Sequence, residues 1–147
     1  MSILDLGCGN GLLVERLRGD GFNAIGIDPN LPESKSFGYL LKRSAYRTEF
    51  SDNSFDCIIC IETIEHLEPR VYGEIRRIGK DGCKLIMTTP KKRWNTLIET
   101  LSSLGLADPL VTPHINLVDP LDLPFRLERA ASFMGLEWYG IYSIIKA

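Results

Sequence analysis

Two carboxylates and an imidazole crowd into Glu62-Thr63-Ile64-Glu65-His66. Such a group can gather a divalent ion or take a proton from a nucleophile. A second histidine, His114, sits in Thr112-Pro113-His114-Ile115-Asn116, and a cationic run with an aromatic, Lys91-Lys92-Arg93-Trp94, lies between them. That run could hold an anionic or nucleotide acceptor, although a bare charge run reads first as a solvated face, and His114 first as a loop anchor. Nearer the start, Asp5-Leu6-Gly7-Cys8-Gly9-Asn10-Gly11 spaces its glycines G-x-G-x-G, and Asp28 follows. Glycines let backbone approach a ligand, and a carboxylate about 20 residues on can accept both hydroxyls of a ribose. Together they point to an adenosine-containing cofactor. A nicotinamide or flavin fingerprint would put its third glycine where Leu12 stands, so the leucine counts against a dinucleotide.

These residues need a frame. Ile3 to Leu6 reads as a strand buried on both faces. Leu13, Val14 and Leu17 give helical spacing from Asn10 to about Arg18, and Gly19-Asp20-Gly21 stops it. Phe22 to Ile27 is a second strand, closed by Asp28-Pro29. Between Asn30 and Tyr46, Pro32, Ser34, Ser36 and Gly38 break any long helix, and Phe37 to Leu41 reads as a helical turn or a short strand. Ser51-Asp52-Asn53-Ser54 is a turn before the strand Phe55 to Ile61. Leu67 to Ile78 is a helix with Val71, Ile75 and Ile78 inward. Gly79-Lys80-Asp81-Gly82 turns the chain into the strand Cys83 to Thr88, stopped at Pro90. Trp94 to Leu104 is read as a helix, Ala107 to Pro120 as a loop and Leu121 to Met134 as a helix ending at Gly135. Leu136 to Ala147 is strand-like, with Gly140 as a bend between two strands.

Strands alternating with helices predict an α/β fold, a Rossmann-like doubly wound parallel sheet, in a single domain over 1–147. The 44% hydrophobic content suits a globular core, and the net charge of −2 gives no whole-chain case for nucleic acid or membrane binding. No apolar run reaches the roughly 18 residues of a membrane span, and no signal-peptide layout opens the chain, so the cytoplasm is the expected compartment. Cys57 and Cys60 form a C-x-x-C, but on a strand positions three apart face opposite ways. They read as small core residues.

The chain resembles the class I S-adenosylmethionine-dependent methyltransferases of the type 11 branch. The resemblance rests on Leu4 to Gly11, Gly26-Ile27-Asp28-Pro29, Ser51 to Asp56, Glu65-His66-Leu67 and Thr88-Thr89-Pro90, in the family's order. It implies a seven-strand sheet with the last strand antiparallel, and S-adenosylmethionine as methyl donor. Carried over, Gly7, Cys8 and Gly9 would lie against its methionine portion, with Asp5 facing the ammonium. Asp28 and Pro29 would take the ribose, Ile61 and Glu62 would flank the cofactor, and Ser44 with Ala45 would meet the adenine. Ser44 stands where the family often has an Asp, and the segment from Asp28 to Ser44 is short, which implies an abbreviated helix.

His66 and Glu65 are the candidate catalytic pair. Glu62, Glu65, His66 and His114 also resemble the metal set of small-RNA 2′-O-methyltransferases, but no metal is expected and an RNA substrate is the lesser alternative. The expected activity is methyl transfer to a small-molecule acceptor. The competing reading is a cofactor-binding domain or subunit that needs a partner, or a second copy, to complete its N-terminal side. The abrupt start at Ile3 prompts it, as expected of a minimal or truncated N-terminus.

Overall fold

Ile3 and Leu4 are adjacent, both buried, and packed in different clusters, which is what a strand sandwiched between two layers requires. The computed structural model describes residues 1–36, 38–90, 118–133 and 137–146, with 96, 100, 103 and 104. Its elements are β1 (Ser2–Leu6), α1 (Leu12–Gly19), β2 (Asn23–Ile27), β3 (Leu40–Leu41), β4 (Phe55–Cys60), α2 (Val71–Ile78), β5 (Gly79–Pro90), β6 (Arg126–Phe133) and β7 (Glu137–Ser143). The strands form one sheet in the order β3-β2-β1-β4-β5-β7-β6. β1 to β5 pair in parallel, while β7 is antiparallel to both β5 and β6. The sheet is therefore the expected methyltransferase type, with β7 the antiparallel strand.

Each face has its own helix. Ile3, Cys57 and Ile59 pack with Val14 of α1, and Leu13 and Leu17 lie alongside. Leu4, Leu6, Ile58 and Cys60 pack with Val71, Ile75 and Ile78 of α2. Cys57 and Cys60 thus sit on opposite faces, as free thiols. Burying each such aliphatic side chain contributes about 1.5–3 kcal/mol. Close docking of α1 depends on Gly26, where a Cβ would meet Val14 Cγ2 at 2.7 Å and Cys8 Sγ at 2.8 Å.

Several elements differ from expectation. Of the helix expected from Leu121 to Met134, the described residues to Phe133 form no α-helix: a 3-10 turn at Pro120–Asp122 leads into β6, paired along its length with β7. The reason is long-range pairing: the backbone of 126–133 is taken up by the ladder with β7, which overrides the local helical spacing. Gly140 does not bend the chain. β7 runs straight through it, pairing with Met87 on one side and Ala130 on the other. Glycine is needed because a Cβ would lie 2.4 Å from the Tyr142 ring. The second helix begins at Val71 rather than Leu67. Gly79 to Gly82 is not a turn but part of β5, where the register jumps from Phe55–Gly79 to Cys57–Lys84. Between Asp28 and Ser44 the described residues form one 3-10 turn, Glu33–Lys35, and the two-residue β3.

Of Trp94 to Leu104 only four residues are described, and the Leu104 N–H donates to the Thr100 carbonyl at 3.1 Å, a helical contact. Lys91 to Trp94, His114, Gly135 and most of the loop from Ala107 to Pro120 lie outside the described residues. Among the described residues, no helix is long and apolar enough to cross a membrane.

Candidate functional site

Parallel strands put their carboxyl ends at one edge, and the chain leaves that edge in opposite directions from β1 and β4. A crevice at such a switch point is where open α/β sheets bind ligands. Here the glycine loop follows β1. Its Gly7 and Cys8 N–H groups both donate to the Ile27 carbonyl, at 2.9 and 3.0 Å, which draws the loop against the end of β2. Gly7, Gly9 and Gly11 have φ of 84°, 54° and 86°, a region closed to most side chains. Asp28 then ties the two strand ends together: its Oδ2 accepts from the Gly9 N–H at 3.0 Å and its Oδ1 from the Asn30 N–H at 2.8 Å.

Beneath the loop lies Asp5, 4% exposed. Burial, and then the charge of Asp28, raise its carboxyl to about 6. Cys8 is pushed up to about 12 by burial, then by Asp5 and Asp28, so its thiol stays protonated and unreactive. Leu12, the position that argued against a dinucleotide, is 65% exposed. The close approaches that a small residue permits fall elsewhere, at Gly26 and at Gly11, where a Cβ would lie 2.5 Å from Leu40.

The opposite wall comes from the end of β4. Glu62 is a non-glycine residue with φ of 46°. Its N–H donates to Thr88 Oγ1 at 3.1 Å, and the Thr88 hydroxyl donates to Glu62 Oε1 at 2.5 Å. Thr63 follows, its hydroxyl donating to the Ile61 carbonyl at 2.8 Å. Its side chain lies over Gly7, where a Cβ would sit 2.4 Å from both Thr63 Oγ1 and Cγ2. A 3-10 turn, Ile64–His66, then leads to α2.

Between these walls is a cleft of about 420 Å³, within the usual range for small-ligand sites. Gly7, Asp28, Pro29, Ser44, Ala45, Glu62 and His66 line it. The other expected site residues stand apart. Asp5 and Cys8 are buried under the loop, Gly9 reaches the site through Asp28, and Ile61 is 45% exposed outside the lining. Glu65 is buried at 1% exposure on the α2 side, near Cys60, whose thiol is raised chiefly by burial and then by Glu65. His114, the fourth member of the candidate metal set, lies outside the described residues, and no group of three or more candidate ligands occurs among the described residues.

Sequence reasoning did not single out Asn30, Arg43, Thr63 or Leu67, which also line the cleft. Thr63 was visible inside the Glu62–His66 run, but only contact with Gly7 gives it a place. Tyr46 closes the outer side: its hydroxyl accepts from the Glu68 N–H at 2.8 Å, and the Arg70 guanidinium lies 4.3 Å from its ring centre. Arg43, also on the lining, donates to the Thr48 carbonyl at 2.9 Å beside the Phe50 ring.

A family model described as "Methyltransferase domain" matches residues 4–87. The bovine protein named ubiquinone biosynthesis O-methyltransferase, mitochondrial, is 36% identical over 153 residues, covering 92% of this chain and 41% of the relative. A Rickettsia felis protein named ubiquinone biosynthesis O-methyltransferase is 32% identical over 100 residues, covering 60% of this chain and 41% of its own. The chain thus spans about two-fifths of the curated relatives it matches. In fold it resembles a solved S-adenosylmethionine-dependent methyltransferase from Methanosarcina mazei (TM-score 0.71, 21% identity, 99% of this chain and 93% of that one). A Pyrococcus horikoshii protein superposes similarly (TM-score 0.72, 22% identity, 97% and 81% coverage).

Proposed function

The chain belongs to the methyltransferase-domain family, of class I and type 11, and from that premise we propose that it binds S-adenosylmethionine and transfers its methyl group to a small-molecule acceptor. One observation carries the reading. The glycine loop, Asp28 and Ser44-Ala45 come from three separate strand ends, yet all meet at one cleft of about 420 Å³.

The residues present suit such a cofactor. Gly7 lets the Thr63 side chain rest directly on the loop, and its bare backbone lines the cleft where ligand atoms can lie against it. Asp28 already accepts two backbone N–H groups, and the remaining lone pairs of its carboxylate suit two ribose hydroxyls. Ser44 and Ala45 lie beside it for the adenine, and the Ser44 hydroxyl accepts from the Tyr46 N–H at 3.2 Å. Asp5, buried with its carboxyl raised to about 6, regains a charge partner when an ammonium group enters above it.

When bound, S-adenosylmethionine supplies a sulfonium methyl that is already activated. What the chain adds is mainly alignment and exclusion of water. Thr63 and Tyr46 narrow the cleft from two sides. His66, on the lining, accepts the acceptor's proton at an imidazole nitrogen when that acceptor is a hydroxyl. Glu65 acts through the buried turn that carries His66. The relatives named for ubiquinone biosynthesis O-methylation support a small organic acceptor with such a hydroxyl. The cytoplasm is the proposed compartment, although the bovine relative's name is mitochondrial.

Calorimetric titration tests the donor. Micromolar binding of S-adenosylhomocysteine with none of NADH is the expected result. The reverse preference would replace methyl transfer with hydride chemistry. Release of S-adenosylhomocysteine during a screen of small hydroxylated acceptors would then identify the substrate, whereas binding without release across the screen would favour a domain that needs a partner.

A further inference from the structure

We propose that Thr88 is a positioning residue for this site, an inference that rests on the methyl-donor reading above. Thr88 does not line the cleft. It is 8% exposed, on β5, directly after the Met87 that pairs with Cys60. At that point the β4–β5 ladder stops, and the next cross-strand contact is made by a side chain. The Thr88 oxygen accepts from the Glu62 N–H at 3.1 Å, and its hydrogen goes to Glu62 Oε1 at 2.5 Å. One hydroxyl therefore holds both the backbone and the carboxylate of one residue.

That residue needs holding. Glu62 has φ of 46°, which side chains with a Cβ rarely adopt without outside support. In that conformation the chain turns sharply after Ile61. Thr63 bonds back to the Ile61 carbonyl at 2.8 Å, and its side chain comes to rest on Gly7. The hydroxyl on β5 thereby fixes the turn that seats Thr63 on Gly7, and with it the placing of Glu62 and Thr63 on the cleft lining. Glycine at position 7 and threonine at position 88 are two parts of one device: the first leaves the space, and the second aims the side chain that bounds it.

Thr88→Val keeps the shape of the side chain and removes the hydroxyl, Thr88→Ala is a second hydroxyl-free variant should the first not fold, and Thr88→Ser keeps the hydroxyl. Hydrogen exchange of the Glu62 amide, read by NMR in the ligand-free protein, is expected to quicken about tenfold or more in the hydroxyl-free variants. S-adenosylhomocysteine affinity is expected to fall about tenfold in the same variants, with both properties within about twofold of the parent in Thr88→Ser. A role in packing alone would be kept by valine and not restored by serine, which lacks the methyl group. Unchanged exchange or unchanged affinity in the hydroxyl-free variants overturns the inference, as does a serine variant as impaired as valine. Quickened exchange in the hydroxyl-free variants together with no S-adenosylhomocysteine binding by the parent overturns the methyl-donor reading instead.

Discussion

The two ends of the sheet use the same side chain, a carboxylate, in opposite ways. At the amino ends of the strands, acids are neutralised. Asp56 receives Lys80 Nζ at 2.6 Å and the Ser2 N–H at 2.7 Å, and its carboxyl is lowered. Glu74 receives Arg77 twice and Thr48 twice, which holds it at about 2. At the carboxyl ends, Asp28 and Glu62 take only backbone and hydroxyl donors, and Asp5 is raised to about 6. One end spends its charges on holding the chain together. The other, among the described residues, leaves its acids without a lysine or arginine partner, where a ligand can reach them.

Breaking the ligand end should show most in binding. Asp28→Ala is expected to lower S-adenosylhomocysteine affinity at least about 100-fold, with an unchanged melting curve apart from the lost loop contacts; unchanged affinity in calorimetry would sink the ribose assignment. Breaking the structural end should show in stability alone. Glu74→Ala removes four contacts to Thr48 and Arg77 and is expected to cost about 3 kcal/mol in urea unfolding, without altering cofactor affinity in the folded fraction.

The ends should also answer pH with opposite signs. Glu74 falls from an ordinary 4.5 to about 2 on folding, so its stabilisation is present above about 4.5 and is lost as pH drops towards 2. Asp5 rises from 3.8 to about 6, so it destabilises the ligand-free fold progressively as pH climbs through that interval. Asp5→Asn is expected to raise stability at pH 7 by about 2 kcal/mol and to flatten the stability profile between the two values. A variant less stable than the parent at neutral pH would show that Asp5 is ionised at little cost. The smallest effect is expected at Leu12, whose side chain is 65% exposed. Leu12→Gly should change stability by about 1 kcal/mol or less and confer no NADH binding. Gained NADH binding would make position 12 the discriminator that the G-x-G-x-G spacing implied.

What the sequence made legible was local and periodic. The apolar run Ile3 to Leu6, the glycine loop, Asp28 and the inner face Val71, Ile75 and Ile78 each announce themselves within one turn or one strand. What it hid depended on partners far along the chain. Thr88 meets Glu62 across 26 residues, and Tyr46 meets Glu68 across 22; neither pair has a spacing to recognise. Gly140 looked like a bend because its reason, the Tyr142 ring above it, exists only once the strand is formed. The stretch before Phe133 carries helix-like amphipathic spacing, and only its pairing with Glu137–Ser143, further along the chain, makes it a strand.

The position of β7 has a consequence for how the chain is made. β7 follows β6 in sequence, yet lies between β5 and β6 in the sheet. A nascent chain that has left the ribosome only as far as residue 133 can assemble β1 to β5 but has nowhere to seat β6, and β5 presents an open edge until Glu137–Ser143 emerges. The strand that closes the sheet is synthesised after the one it must anchor. Completion therefore waits on a hairpin inserted late, and the unpaired edge of β5 is where a stalled or slowly translated chain is most exposed to association with its neighbours.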